Sequence, residues 1–310
     1  MHIILEDGFA ISKGTGIGQH TWNLFHWLKE SPEISSIRLI EKPFLSKISS
    51  RALRRAFYII WLNSWLQLLL RQGQVDVVYF TNYLVPILRL SKVKYMVTLH
   101  DLCAWRFPET LPSIYVAYSK WATSHAVQTA DLILTLTDTV KREVMELFNI
   151  DSKKIYTVYN GIAQSFWESS KKSVDEVVAV KDKFGIRKDY LLFVGTIEER
   201  KNVMTLIKAF DKLRNYKNLQ LVLVGRPGYG FSKISNYLEE NHLENEVIIT
   251  KYVTEEEKIT LYDSATTFVF PSLYEGFGIP LVEAMVRKVP IVASKIPSTE
   301  EVAGEAALYY

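Results

Sequence analysis

The sequence predicts an α/β protein of two domains, each a parallel sheet assembled from βαβ units. Three observations predict it. Short apolar runs of strand length alternate with stretches of helical pattern along the whole chain, which is the order of βαβ units rather than of hairpins. Several runs end in a glycine and lead into a helical pattern, as in "YLLFVGT". The 310 residues are enough for two cores of ordinary size.

Composition narrows the class. Hydrophobic content of 48% and charged content of 23% are those of a globular protein, and a net charge of +3 is too small to point to nucleic acid. One cysteine, Cys103, excludes an internal disulfide framework and fits a reducing compartment; it reads as a small packed residue. Strand-like "HIIL" follows Met1 at once and leaves no room for a secretory signal, so a cytoplasmic location is expected.

The first half opens with that strand, and "KGTGIGQHTWNLFHWLKE" follows after a loop. Gly14, Gly16 and Gly18 read as a turn and Ile17 to Glu30 as a helix. Gln19 stands where a dinucleotide fingerprint places its third glycine, which weakens an NAD oxidoreductase reading. Between Lys42 and Val75 there are six Lys/Arg and no Asp or Glu. Within this stretch Ala56 to Leu70 reads as one helix, too short and too often interrupted to span a bilayer. Asn63, Gln67 and Arg71 form its polar stripe, and Arg51, Arg54 and Arg55 make its entry basic. Two readings stay open for residues 47–71: a core helix with a basic start, or an interfacial helix on an anionic membrane surface. Strands are expected at Val75 to Phe80, Lys94 to Leu99 and Asp131 to Leu136, and helices at Ser113 to Gln128 and Asp138 to Phe148. The second strand ends in His100-Asp101, a pair placed at the carboxyl end, where open α/β sheets bind ligands. Asn160-Gly161 signals a turn. The charged stretch from Glu168 to Val180 suggests a linker, so domains of 1–168 and 169–310 are expected.

The second half carries the strongest signal. Strand Tyr190 to Val194 leads through Gly195 and Arg200-Lys201 to a helix from Asn202. Later, the buried-strand pattern Thr267 to Phe270 runs into "PSLYEGFGIPLVEAM", Pro271 to Met285. Pro280 suits the first turn of a helix, and Gly276 and Gly278 let the backbone approach a ligand closely. Backbone N–H groups of Gly276, Phe277, Gly278 and Ile279 at such a helix start attract phosphate. Glu275 and Glu283 bracket this anion site and read as acceptors for neutral hydroxyls. Arg200 and Lys201 read either as solvated surface or, with the helix start, as clamps on a diphosphate. Hydroxyls beside a diphosphate describe a nucleotide sugar. No Asp/His cluster has metal-ligand spacing, so no metal is expected.

The E-x7-E spacing of Glu275 and Glu283 inside "PSLYEGFGIPLVEAM" resembles the signature of retaining family-4 glycosyltransferases. The "R-K" pair after the first strand of the second half, "GTGIGQHTWNL" and "T-x-H-D-L" (Thr98 to Leu102) continue the resemblance over most of the chain. It implies the GT-B fold: two Rossmann-like domains whose parallel sheets face each other across a cleft, the first on the acceptor side and the second binding the nucleotide sugar. It implies retaining, metal-independent transfer of a hexose to a glycan or lipid-linked glycan. Gly14 and Gly16 would lie against the donor phosphates, and Arg200, Lys201 and residues 276–279 would bind the diphosphate. Glu275 and His100 would meet the sugar at the reacting centre, with Asp101 orienting His100 or capping a turn, and Glu283 would hold the ribose. The base would lie near Tyr252-Val253 and the acidic start at Glu255 to Glu257. The forms "T-x-H-D-L" and "E-E-R-K-N" resemble bacterial mannosyltransferases of surface polysaccharide assembly, which implies GDP-mannose as donor, no further cofactor, and a place on the inner face of the membrane. Lys251 and Lys288 replace expected glycines, and "AALYY" ends short of the family's terminal helices, which implies a C-terminally truncated second domain. Two alternatives stay open: a nucleotide-sugar epimerase of similar architecture, and an inactive nucleotide-sugar-binding protein.

Overall fold

The computed structural model describes every residue except 7–15, 41, 43–44, 46, 90–91 and 215–217. Gly14 therefore lies outside the described residues. The strands are β1 (His2–Glu6), β2 (Ser36–Leu39), β3 (Val77–Phe80), β4 (Lys94–Leu99), β5 (Leu132–Thr135), β6 (Ile155–Thr157), β7 (Asp189–Val194), β8 (Leu219–Val224), β9 (Val247–Ile249), β10 (Thr267–Phe270), β11 (Ile291–Ala293) and β12 (Ala307–Tyr309). They form two six-stranded sheets, ordered β2-β1-β3-β4-β5-β6 and β12-β11-β10-β7-β8-β9. Every strand pairing is parallel, from Ile3 beside Val77 in the first sheet to Phe193 beside Leu223 in the second.

The period of two along the strands explains why helices cover both faces of the second sheet. Tyr190, Leu192 and Val194 pack with Val222, Phe268 and Phe270 on one face. Phe193, Leu221, Leu223 and Val269 pack on the other. Strands buried on both sides read as continuous apolar runs, which is what "YLLFV" and "LQLVLV" are.

The chain divides into two compact units, Met1–Leu102 with Ala117–Gly161, and Cys103–Val116 with Ile162–Tyr310. Phe166 is 1% exposed within the second unit's core, so the short helix Gln164–Glu168 counts with that unit, ahead of the Ser169 boundary expected from composition. Cys103 is buried.

Two expectations in the first unit are corrected. The helix beginning the G-x-G segment runs Gly16–Glu30, so Gly16 and Gly18 belong to the helix rather than to the turn. The single helix read at Ala56 to Leu70 is two, Arg51–Asn63 and Trp65–Gln72, broken at Ser64, whose ψ of −75° is outside the helical range for its φ of −121°. Tertiary hydrogen bonds account for the break. Asn63 Oδ1 accepts from the backbone N–H of Ile87 at 2.8 Å, and buried Gln67 reaches the Tyr95 hydroxyl at 3.4 Å. Two of the three residues of the expected polar stripe, Asn63 and Gln67, thus bond into the fold, while apolar Leu53, Phe57, Ile60, Trp65 and Leu68 are exposed. Lys42, the first of the six basic residues, is buried and pairs with Glu6 at 2.5 Å. Among the described residues no helix is long and apolar enough to cross a membrane.

Candidate functional site

Three loops at the carboxyl ends of β7, β8 and β10 build the site in the second unit. The β7 and β8 loops are joined by their backbones: Ile197 N–H donates to Arg226 O, Gly228 N–H to Ile197 O, and Glu199 N–H to Tyr229 O, at 2.9, 2.9 and 3.1 Å. Only a glycine fits at 225, because a Cβ there would lie 1.9 Å from Gly195 O. This close approach leads the chain into the short turn Glu199–Lys201, so Arg200 and Lys201 leave it side by side. The third loop meets them through Leu273 N–H, which donates to Arg200 O at 2.9 Å.

Arg200 Nη1 donates to Tyr274 O and to Glu275 Oε2, each at 3.0 Å, and Lys201 Nζ pairs with Glu275 Oε1. Ser272 Oγ donates to the same carboxylate at 2.6 Å. Glu198 takes Arg200 Nη2 at 3.0 Å. Arg200 and Lys201 are therefore not solvated surface, and Glu275, 6% exposed, is not a solvated loop residue. Burial raises the Glu275 carboxyl pKa, but Lys201 and then Arg200 outweigh it and hold it at about 2. Lys201 is held below the usual lysine range by burial, against the pull of Glu275, and Arg200 repels it further. Glu275 is shared between the two cations, and Glu198 is the second carboxylate beside them.

Gly278 caps the helix Ile279–Val286 with φ +98°, a left-handed conformation that glycine adopts without strain, and Pro280 lies in the first turn as expected. The backbone of residues 276–279 thus turns into a helix start beside Glu275. Glu283, one turn on, is buried; Lys258 Nζ reaches its Oε1 at 2.5 Å and the Tyr262 hydroxyl donates to its Oε2 at 3.0 Å. Burial and Glu283 push the Tyr262 pKa well up, which keeps it a donor. Lys258 was missed in the sequence because its role depends on a helix contact 25 residues away.

The expected glycine positions Lys251 and Lys288 have φ of 60° and 57°. The turns keep the left-handed geometry, and each lysine bears a cost of about 1 kcal/mol for adopting it. Tyr252, beside Lys251, is largely exposed.

In the first unit His100 follows β4, and its Nε2 lies 2.6 Å from Thr81 O. A carbonyl only accepts, so Nε2 carries the proton and Nδ1 is left as the acceptor. Burial lowers the His100 pKa and keeps the ring neutral near pH 7. His20, not singled out by sequence reasoning, meets His100 edge-on with ring centroids 5.2 Å apart. Among the described residues no three His, Cys, Asp or Glu gather as metal ligands.

Two family models match the chain: Glycosyltransferase Family 4 over residues 25–166 and Glycosyl transferases group 1 over residues 179–307. The chain is 30% identical to O-antigen chain mannosyltransferase B of Escherichia coli over 95% of its own length and 82% of the relative's. It is 29% identical to O-antigen chain mannosyltransferase RfbU of Salmonella typhimurium over 81% of its length and 65% of the relative's. Among solved structures, WaaG, a glycosyltransferase involved in lipopolysaccharide biosynthesis, superposes with a TM-score of 0.73 at 17% identity, covering 100% of this chain and 85% of that one. Sucrose-phosphate synthase from Thermosynechococcus elongatus gives 0.75 at 14% identity, covering 100% and 85%.

Proposed function

Because this chain belongs to the GT-B glycosyltransferases with a family 4 and a group 1 domain, we propose that it transfers mannose from GDP-mannose to a glycan or lipid-linked glycan, retaining the anomeric configuration and needing no metal. The observation that carries this reading is the convergence of Arg200 and Lys201 on the Glu275 turn, immediately ahead of a helix start. Departure of a nucleoside diphosphate builds negative charge on phosphate oxygens. Two aimed cations and a helix N-terminus stabilise that charge in a site already organised for it. In the proposed cycle the diphosphate takes over from Glu275 as counter-ion, and the released carboxylate accepts hydroxyl hydrogens from the sugar. His100 offers Nδ1 to a further hydroxyl, and Glu283, poised by Lys258 and Tyr262, accepts from the ribose. The names of the two relatives, both mannosyltransferases, support mannose over other hexoses.

The test is a thermal-shift panel of GDP, UDP and ADP sugars, followed by product analysis. A ligand at 100 times its Kd stabilises by about 2.7 kcal/mol, which corresponds to several degrees for a domain of this size. GDP-mannose is expected to give the largest shift, and the product made with acceptor to be an α-mannoside. No shift with any nucleotide sugar would refute the reading.

The same reading includes contact with the inner face of the membrane. Leu53, Phe57, Ile60, Trp65 and Leu68 are each at least 44% exposed, and exposed Arg55 and Arg71 flank them. An apolar face with basic flanks suits an anionic bilayer surface. The protein is expected to float with anionic liposomes at low salt, to be released at high salt, and to lose most binding on Phe57→Asp with Ile60→Asp. Equal behaviour with neutral and anionic liposomes counts against it.

A further inference from the structure

His20 lies in the helix Gly16–Glu30, and its Nδ1 is 2.7 Å from Asn160 Oδ1. An amide oxygen only accepts, so Nδ1 carries the proton and Nε2 keeps a bare lone pair. Burial and the neighbouring His100 lower the His20 pKa to about 4, so the ring is neutral at pH 7. Nε2 is buried and has no hydrogen-bond partner among the described residues. A buried acceptor without a donor lowers stability, so its presence calls for an explanation. Phenylalanine would keep an edge contact with His100 but would give up the bond to Asn160 Oδ1 together with the bare Nε2.

The surroundings supply one. His20 and His100 touch at the carboxyl end of the first sheet, and each presents one unprotonated nitrogen. Thr81 orders both sides: its carbonyl accepts from His100 Nε2–H, and its Oγ1 lies 2.8 Å from Thr21 Oγ1, next to His20 in sequence. Asn160 fixes the His20 tautomer as Thr81 fixes that of His100. Two neutral imidazoles held in acceptor tautomers are suited to vicinal hydroxyls and unsuited to an anion.

We propose that His20 is a saccharide ligand: its Nε2 accepts a hydroxyl hydrogen from a sugar ring that also meets His100, the groups over Nε2 parting as the sugar enters. The inference rests on the transferase reading for its sugar chemistry but on neither the diphosphate nor the nucleotide. The sugar is either the donor hexose or a residue of the acceptor, and the kinetics below distinguish them.

The experiment uses the full chain. Imidazole 15N spectra of the wild-type protein are recorded with methyl α-D-mannoside and methyl α-D-glucoside at saturating concentration. A shift of the His20 Nε2 resonance from bare toward hydrogen-bonded is expected with at least one, and no shift with either overturns the proposal. His20→Phe, which also gives up the bond to Asn160, is expected to stay folded while kcat/KM falls about 10- to 100-fold, and His20→Gln, which restores an acceptor, to recover part of the loss. A rise confined to the acceptor KM assigns the acceptor sugar. A loss of affinity for nucleotide sugar with unchanged affinity for the nucleoside diphosphate assigns the donor hexose. Full activity in folded His20→Phe overturns the proposal. Failure of the wild-type protein to bind any nucleoside diphosphate would strike the donor reading alone and leave the 15N result to decide this one.

Discussion

Replacing Arg200 and Lys201 together by alanine is expected to lower transfer by a factor of about 10³ or more and to abolish protection by nucleoside diphosphates. Removing a single aimed donor from a site of developing charge costs about 10² to 10³ in rate, and here two charged donors go at once. The double variant also loses stability, because Glu275 is left 6% exposed with Ser272 as its remaining donor from this set. Stranding one member of a buried ion cluster costs about 3–5 kcal/mol. Loss of transfer could then reflect unfolding, so the informative variant is the triple one, Arg200→Gln, Lys201→Gln and Glu275→Gln. It removes the three charges that face one another at the Glu275 carboxylate, leaves the partly exposed Glu198, and keeps side chains able to hydrogen-bond. The triple variant is expected to recover most of the thermal midpoint and none of the transfer. Its acid stability supplies a second readout. The Glu275 pKa is about 2 in the folded protein against an ordinary 4.5, so its stabilisation is complete above about pH 4.5 and is lost as pH falls toward 2. That part of the acid sensitivity is expected to be missing from the triple variant. Transfer at the wild-type rate by a folded triple variant would end the role assigned to the clamp.

What could be read from the sequence was whatever is decided by neighbours along the chain. β4, β10 and the helix Asp138–Phe148 have the expected limits because apolar runs and flanking turn residues mark them locally. The helix start at Ile279–Pro280 was visible for the same reason, whereas the left-handed positions 251 and 288 were expected from the family resemblance and keep that geometry with lysine in place. What escaped were partnerships between distant residues. Glu275 read as a hydroxyl acceptor because nothing local shows that Lys201 lies across from it, 74 positions earlier. The helix break at Ser64 depends on Ile87 and Tyr95, and the burial of Lys42 depends on Glu6. His20 sits in a motif noted for its glycines, and its distinguishing feature, a stranded nitrogen, exists only once Asn160 and His100 are in place.

Arg287→Ala is expected to destabilise the second unit by about 3–5 kcal/mol, more than loss of any exposed ion pair in the chain. The Arg287 side chain is 7% exposed and that of Asp263 is 4%. Nε and Nη2 of Arg287 grip the two carboxylate oxygens of Asp263, each at 2.7 Å, in a bidentate fork. Nη1 donates to Phe166 O at 3.0 Å and Ser169 O at 2.8 Å, so one guanidinium joins three segments. These are the end of the helix Glu255–Asp263, the end of the helix Ile279–Val286, and the stretch that enters the second unit. Alanine leaves Asp263 buried with a charge that has lost its fork, and leaves two carbonyls short of a donor. For a unit of about 150 residues the loss corresponds to a fall in melting temperature of about 6–20 °C. Arg287→Lys is expected to rescue little, because an ammonium offers one point of charge where the fork meets four oxygens. The consequence for the site follows from position. Lys258 and Glu283 sit on the two helices that Arg287 ties together, so a loosened fork lengthens their 2.5 Å pair. Nucleotide affinity is therefore expected to fall in Arg287→Lys even at temperatures where the protein stays folded, as measured by titration calorimetry with GDP. Unchanged affinity and an unchanged melting temperature in that variant would show that the helices hold their places without the fork.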